Sequence, residues 1–251
     1  MSYSTKEIRM NSLQNAPVPS AMARDAATTD SANYADGSMA AAAAGSANKV
    51  IRNTYMLLAM TLAFSAGTAA LTVSMKLPHP GLIITLIGYF GLLFLTYRMR
   101  NSAWALGSVF ALTGFMGYTL GPIVSHYLAL PNGGQTVMMA MGSTAVIFLG
   151  LSAYALTTRK DFSFMGGFLT VGVLVAFLAG LAAIFFEIPA LSLTVSAAFV
   201  LLASGLILWE TSNIIHGGET NYVMATVSLF VSIFNLFTSL LQLFGFWNSN
   251  D

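Results

Sequence analysis

Seven unbroken apolar runs set the limits on what this chain can fold into. They extend over Asn53–Met75, Gly81–Tyr97, Ser102–Val124, Thr136–Thr157, Ser163–Phe186, Pro189–Glu210 and Tyr222–Trp247. A helix needs about 17–25 mostly apolar residues to cross the hydrocarbon core of a bilayer, and each run meets that length. The runs are continuous rather than alternating, which excludes a β-barrel, whose strands show lipid and lumen by turns. The charges agree with this reading. Charged residues make up only 8% of the chain, against about 25% in an ordinary soluble protein. Seven of the nineteen charges precede Lys49, which leaves twelve for the remaining 203 residues. So few charges cannot cover a soluble surface, and they exclude both a water-soluble enzyme and a nucleic-acid binder. The expected fold is an all-α polytopic membrane protein, and its surroundings are the lipid bilayer.

Residues 1–48 read differently. They are rich in Ala, Ser, Asn and Asp and poor in large apolar side chains. Such a segment buries too little surface to offset its ordering entropy and reads as a disordered tail. Its only apolar stretch is Ala40–Ala44, too weak and too late for a signal peptide, so the tail is expected to stay on the mature protein. Two domains follow: the tail over 1–48 and a seven-helix transmembrane domain over 49–251. Orientation follows from the cations at the span ends. Lys49, Arg52, Arg98, Arg100, Arg159 and Lys160 fall on one side, and Lys76 alone falls on the other. This bias puts the N-terminus in the cytoplasm and, with seven spans, the C-terminus on the outer face.

Polar and small residues inside the spans narrow the function. On span 3, Gly107, Ala111, Gly114, Tyr118 and Gly121 share one face, with the pair Gly117–Gly121 on an adjoining edge. Small faces let helix backbones approach closely in lipid, although a pore lining would look the same. Pro122 suggests a kink near the outer end of span 3. On span 7, Ser228, Ser232, Asn235, Ser239 and Gln242 recur at four, three, four and three residues. This stripe is expected to face the bundle centre, either bonding neighbouring helices or lining a hydrated path. The last span is long enough to be tilted or broken. Glu210 is the only acid within a span, and an intramembrane carboxylate is a functional candidate by default. It can be protonated, solvated by a cavity, or paired with a cation, for which Arg98 and Arg100 lie at the right depth. His79 and His126 fall in outer loops and His216 in a loop on the basic side. With no cysteine, no histidine and no aspartate in any span, neither an intramembrane protease nor a metal centre is expected. Catalysis and cofactors are not expected.

Longer strings carry a resemblance. Gly117-Tyr-Thr-Leu-Gly121-Pro122-Ile-Val124, followed by Ala140-Met-Gly-Ser-Thr144-Ala145-Val-Ile147-Phe148, resembles the signature of the Bax inhibitor-1 family. One bacterial inner-membrane branch is matched further by Arg52-Asn53-Thr54-Tyr55, Leu62-Ala63-Phe64-Ser65, Thr157-Thr158-Arg159-Lys160-Asp161 and the whole stretch from Glu210 to Tyr222. The resemblance covers nearly all of the chain after Lys49 and implies the seven-helix fold of that family. It also implies two functions. Members of the matching branch associate with the membrane-anchored ATP-dependent protease FtsH, limit its proteolysis of membrane proteins, and can be degraded by it from the N-terminal tail. A processive protease needs an unfolded start, which residues 1–48 would supply. Other bacterial members are pH-sensitive calcium leak channels, with paired acids on spans 6 and 7 and an arginine after span 2. In this chain Glu210 matches the first acid and Arg98 the arginine. Ser232 stands where the second acid would be, and Asn235 lies beside the path. Two carboxylates sharing a site couple their titrations; a carboxylate beside a serine lacks that coupling. A calcium site also prefers several charged oxygens. Regulation of FtsH is therefore the leading expectation, and a pH-gated calcium or proton leak through Glu210 is the alternative. A purely structural membrane protein fits the composition equally well.

Overall fold

In the computed structural model, the backbone is described over residues 21–248 and side chains over residues 45–248. The chain divides into one unit up to Ser46 and a second from Ala47 onward. Of the tail expected over 1–48, residues 1–20 lie outside the described residues, and from Ala21 onward the backbone is helical where a disordered segment was expected. Every element among the described residues is an α-helix: α1 Ala21–Ser74, α2 Leu82–Met99, α3 Ala105–Leu128, α4 Gly133–Thr158, α5 Met165–Phe185, α6 Pro189–Ile215 and α7 Tyr222–Asn248. Each is long and apolar enough to cross a membrane, α1 through its Gly45–Ser74 portion. The chain is thus an all-helical, seven-span membrane protein.

The helices are not equivalent. α7 has 67% of its most apolar window buried inside the bundle, whereas α2 has 6%. α7 packs on α3, α4 and α6, and its Leu229, Phe230, Leu236 and Leu241 are fully buried. They meet Val109 and Leu112 of α3 and Ile207 and Ile214 of α6 in one core. Ile83, Ile87, Phe90 and Phe94 of α2 are exposed, as are Phe168, Val171 and Val175 of α5. In lipid such residues already sit in an apolar solvent. Burial of leucines alone does not drive association there, and close packing and interhelical hydrogen bonds carry more of the load.

Glycines of α3 supply the close packing. A Cβ on Gly117 would overlap Thr68 Oγ1 and the Ser65 carbonyl of α1, and one on Gly121 would meet Thr72 and the Ala69 carbonyl. The Gly117–Gly121 edge is therefore the one that closes on α1, joined by Gly114 against Phe64. Gly107 and Ala111, expected on the same face as Gly114 and Gly121, are exposed. Gly107 and Ala111 lie in the first two turns of α3, before the stretch that meets α1 at Gly114, Gly117 and Gly121. Ser228 departs from its stripe on α7 as well. It is exposed, while Ser232 and Ser239 of that stripe are buried.

Two further expectations are corrected, and an alternative left open for α7 is decided. α3 continues six residues beyond Pro122 to Leu128, so His126 sits in its last turn and not in a loop. α7 is one unbroken helix of 27 residues. α6 runs five residues beyond Glu210 to Ile215, and the acid lies well inside the helix instead of at its end. Thr211 and Ser212 extend the helix because both are buried and bonded to other elements.

Candidate functional site

The strings from Arg52, Thr157 and Glu210 lie far apart in sequence, yet the fold gathers them at one end of the bundle. That end carries Arg52, Arg98, Arg100, Arg159 and Lys160 and is called the basic end below. Asn221 organises it. Placed directly before the apolar run of α7, it caps that helix: its Oδ1 accepts the Val223 N–H at 3.0 Å and the Met224 N–H at 3.3 Å. These are two of the orphan donors that every helix start leaves. Its Nδ2 donates to the Arg100 carbonyl at 3.2 Å and to Asn101 Oδ1 at 2.9 Å. One side chain thus ties the α6–α7 connection to the α2–α3 connection.

Ser212 and His216 form the second tie. Ser212 Oγ accepts the Phe162 N–H at 3.0 Å and donates to the Lys160 carbonyl at 3.1 Å. His216 Nδ1 lies 2.8 Å from the Ser212 carbonyl and Nε2 lies 3.1 Å from the Arg159 carbonyl. A neutral imidazole has a single N–H and donates to one of these at a time. The α4–α5 connection is thereby held against the end of α6. α6 itself stops in a Schellman motif: Gly218 N–H bonds the Asn213 carbonyl and Gly217 N–H the Ile214 carbonyl. Gly217 takes φ +76°, the left-handed conformation that this stop requires and that favours glycine. In the α4–α5 connection, Asp161 Oδ1 accepts the Ser163 N–H at 2.8 Å. That bond, with a smaller contribution from His216, holds the exposed Asp161 carboxyl below its ordinary pKa.

α1 joins from the other side. Tyr55 Oη and Thr211 Oγ1 are 3.3 Å apart, and Thr226 Oγ1 reaches the Thr54 carbonyl at 3.3 Å. The Tyr55 ring lies 6.1 Å from that of Phe148 on α4. Thr54 Oγ1 and Ser152 Oγ are buried without a hydrogen-bond partner.

Glu210 sits one residue before Thr211 in this assembly and is 4% exposed. Among the described residues it makes no ion pair or hydrogen bond. Arg98 is exposed and is not paired with it, and the Arg100 guanidinium stacks 4.6 Å above the Tyr97 ring. Ser232 is buried on α7 and donates to the Ser228 carbonyl of its own helix at 2.9 Å. Asn235 belongs elsewhere. By helical rise it is about 20 Å along α7 from the start of that helix, whereas Glu210 is about 8 Å from the end of α6. Asn235 lines a separate cavity toward the far end. The four candidates from the sequence therefore do not form one constellation. Among the described residues, no group of three or more His, Asp or Glu side chains could hold a metal ion.

In the sequence, Asn221, Ser212 and Tyr55 stand out only as parts of the strings that carry the resemblance, with no role assigned to any of them. An Asn immediately before an apolar run is a helix-start signal, so the cap on α7 was open to reading. The partners on Arg100, Asn101, Lys160 and Phe162 were not, since nothing local pairs those positions.

Six apolar helices around a buried central α7, knitted by side chain-to-backbone bonds at the basic end, define a polytopic helical membrane protein. Residues 47–249 match the family model Bax1-I, Inhibitor of apoptosis-promoting Bax1, and the chain belongs to that family. It is 59% identical over 202 residues to an uncharacterized protein of Pseudomonas aeruginosa, covering 80% of this chain and 91% of the relative. It is 56% identical over 201 residues, again 80% and 91%, to a protein of Escherichia coli K12 named "Modulator of FtsH protease YccA". The same protein in another E. coli strain is named "Inner membrane protein YccA".

Proposed function

We propose that this protein is a multi-pass inner-membrane modulator of the FtsH protease that acts by association and not by catalysis. In this reading its N-terminus and basic end face the cytoplasm, and its C-terminus faces the other side. The observation that carries the reading is 56% identity over 80% of the chain to a relative named for modulating that protease. The six cations at the span ends on one side, against Lys76 alone on the other, support the orientation. The packing supports the mode of action. A bundle closed by glycine contacts and tied across its connections resists extraction from the membrane. A protease engaged on residues 1–48 would then be held by a chain that it unfolds slowly.

The test is to express the full chain and a variant lacking residues 1–48 beside FtsH. Co-purification with FtsH, the half-life of this protein, and the half-life of a membrane substrate of FtsH are then measured. The full chain is expected to co-purify and to lengthen the substrate's half-life, and the truncation to become stable and lose inhibition. If degradation and inhibition are both unchanged without the tail, the proposal fails.

A second reading, a calcium or proton leak gated by Glu210, rests on one observation: this intramembrane acid is buried and unpaired among the described residues. The replacement of a second acid by Ser232, whose hydroxyl is used within its own helix, weighs against it. Calcium and proton flux into proteoliposomes across about pH 6–8, the range where perturbed carboxyls and imidazoles titrate, separates the readings. A pH-dependent flux abolished by Glu210→Gln would establish the leak. No flux from folded protein at any pH would remove it.

A further inference from the structure

The far half of the bundle holds a cavity of about 290 Å³ between α2, α5, α6 and α7. One wall is polar: Ser192 and Ser196 of α6 face Asn235, Thr238, Ser239 and Gln242 of α7. The opposite wall is hydrocarbon, with Leu86 of α2 and Phe177, Leu181 and Ile184 of α5. α2 and α5 meet at the edge-to-face pair Phe90–Phe177, with centroids 5.8 Å apart. Farther along, Ile184 both lines the cavity and is exposed, so the apolar wall continues onto the lipid-facing surface.

The polar wall is organised and yet incompletely used. Gln242 Nε2 donates to Ser192 Oγ at 2.5 Å, and Gln242 Oε1 accepts from Ser196 Oγ at 2.6 Å. These bonds fix the amide and leave its second N–H available. Thr238 Oγ1 donates to the Phe234 carbonyl and keeps its lone pairs. Ser239 is 7% exposed, and its hydroxyl has no hydrogen-bond partner among the described residues. The Asn235 side-chain amide has none either. Away from bulk water, unpaired hydroxyls and amides are costly. Two of them beside a positioned glutamine, all lining one cavity, mark a surface built to be hydrogen-bonded.

The lining also limits what can bind. It contains no charged side chain. A phosphate or ammonium headgroup would lose its hydration without gaining a counter-charge, and a metal cation would find no carboxylate. The volume holds about ten water-sized groups, enough for a small head and too little for a whole lipid. We propose that this cavity binds the head of a neutral glyceride, with its hydroxyls and ester carbonyl bonded to Asn235, Ser239 and Gln242 and its acyl chain leaving over Leu86, Leu181 and Ile184 into the bilayer. The site is separate from the basic end and independent of the reading given there.

The test uses the full chain in nanodiscs and a monoacylglycerol carrying a diazirine near the ester, with adducts mapped by mass spectrometry. Adducts are expected on the cavity stretches of α2, α5 and α7. Unlabelled monoolein should compete them away and phosphatidylglycerol should not. Ser239→Ala removes one hydrogen bond with little change in volume, and half-maximal labelling should then need about threefold to tenfold more probe. Asn235→Leu should weaken labelling by at least as much. Labelling that phosphatidylglycerol competes equally would overturn the proposal. So would labelling outside these helices, or labelling unchanged in folded Ser239→Ala, which would leave the polar wall as a hydrated surface only.

Discussion

The bonds of Asn221 permit a quantitative test of how the basic end is held together. Replacing Asn221 with Ala removes the cap on the Val223 and Met224 N–H groups, which costs about 0.5–2 kcal/mol. It also removes two donated bonds, to the Arg100 carbonyl and Asn101 Oδ1, each contributing about 0.5–1.5 kcal/mol. Asn221 is only half-buried and water can replace part of what is lost, so the expected destabilisation is about 2–3 kcal/mol. Asn221→Asp separates the two roles. A carboxylate still accepts both N–H groups and suits the positive end of the helix dipole, but it cannot donate to Arg100 or Asn101. That variant should lose about 1–2 kcal/mol. Reversible unfolding in mixed detergent micelles, followed by circular dichroism, measures both. If Asp and Ala are equally destabilising, the cap contributes nothing. If Ala lies within about 0.5 kcal/mol of the unaltered protein, a surface-like effect, the assigned role of Asn221 is wrong.

Other consequences follow from the same geometry. Gly117→Ala pushes a methyl group against the Ser65 carbonyl, a backbone atom that no rotamer change can move. A loss of about 1–3 kcal/mol in the same unfolding assay is expected, and an unchanged midpoint would refute the α1–α3 contact. Ser212→Ala strips the Phe162 N–H and the Lys160 carbonyl of their shared partner. Hydrogen exchange at Phe162 should accelerate about tenfold, as for the loss of one such bond, while exchange in α7 stays unchanged. The Asp161 carboxyl should titrate below its ordinary value because it accepts the Ser163 N–H. A depressed folded pKa means that its contribution is present above the unfolded value and is lost as pH falls through the folded one. Protection of the Ser163 amide should therefore drop only on the acid side, and Asp161→Asn should remove that pH dependence. An ordinary or raised midpoint would contradict the bond.

Much of the membrane architecture was legible because transfer into hydrocarbon is a local property of a segment. Each apolar run became one helix, with most ends displaced by no more than a few residues. Two ends depart further: α1 begins at Ala21, well before Asn53, and α6 runs past Glu210 to Ile215, which is the more informative case. Thr211, Ser212 and Asn213 look like the start of a connection, and a hydropathy reading ends the span at Glu210. The helix continues because Thr211 meets Tyr55 of α1 and Ser212 meets the α4–α5 connection, partners that no window along the sequence contains. Glu210 was identifiable as unusual for the same local reason that made the spans visible. That neither Arg98 nor Arg100 pairs with it was not, since both share its expected depth and only side-chain direction distinguishes a pair from neighbours.

The sequence by itself determined the number of spans, the sign of the charge at each end, the glycine edge on α3 and the membership of a family whose long strings survive intact. These depend on composition within about twenty residues or on direct likeness. Tertiary structure alone decided that α7 is the central helix. Its hydropathy resembles that of its neighbours, and burial inside a bundle does not follow from apolarity when the solvent is lipid. It also decided which polar residues meet. Asn221 joins Arg100 and Ser212 joins Lys160, while Asn235 and Ser239 stand apart in a cavity of their own. A helix face says where a side chain points, but only the packing of other helices says what stands opposite.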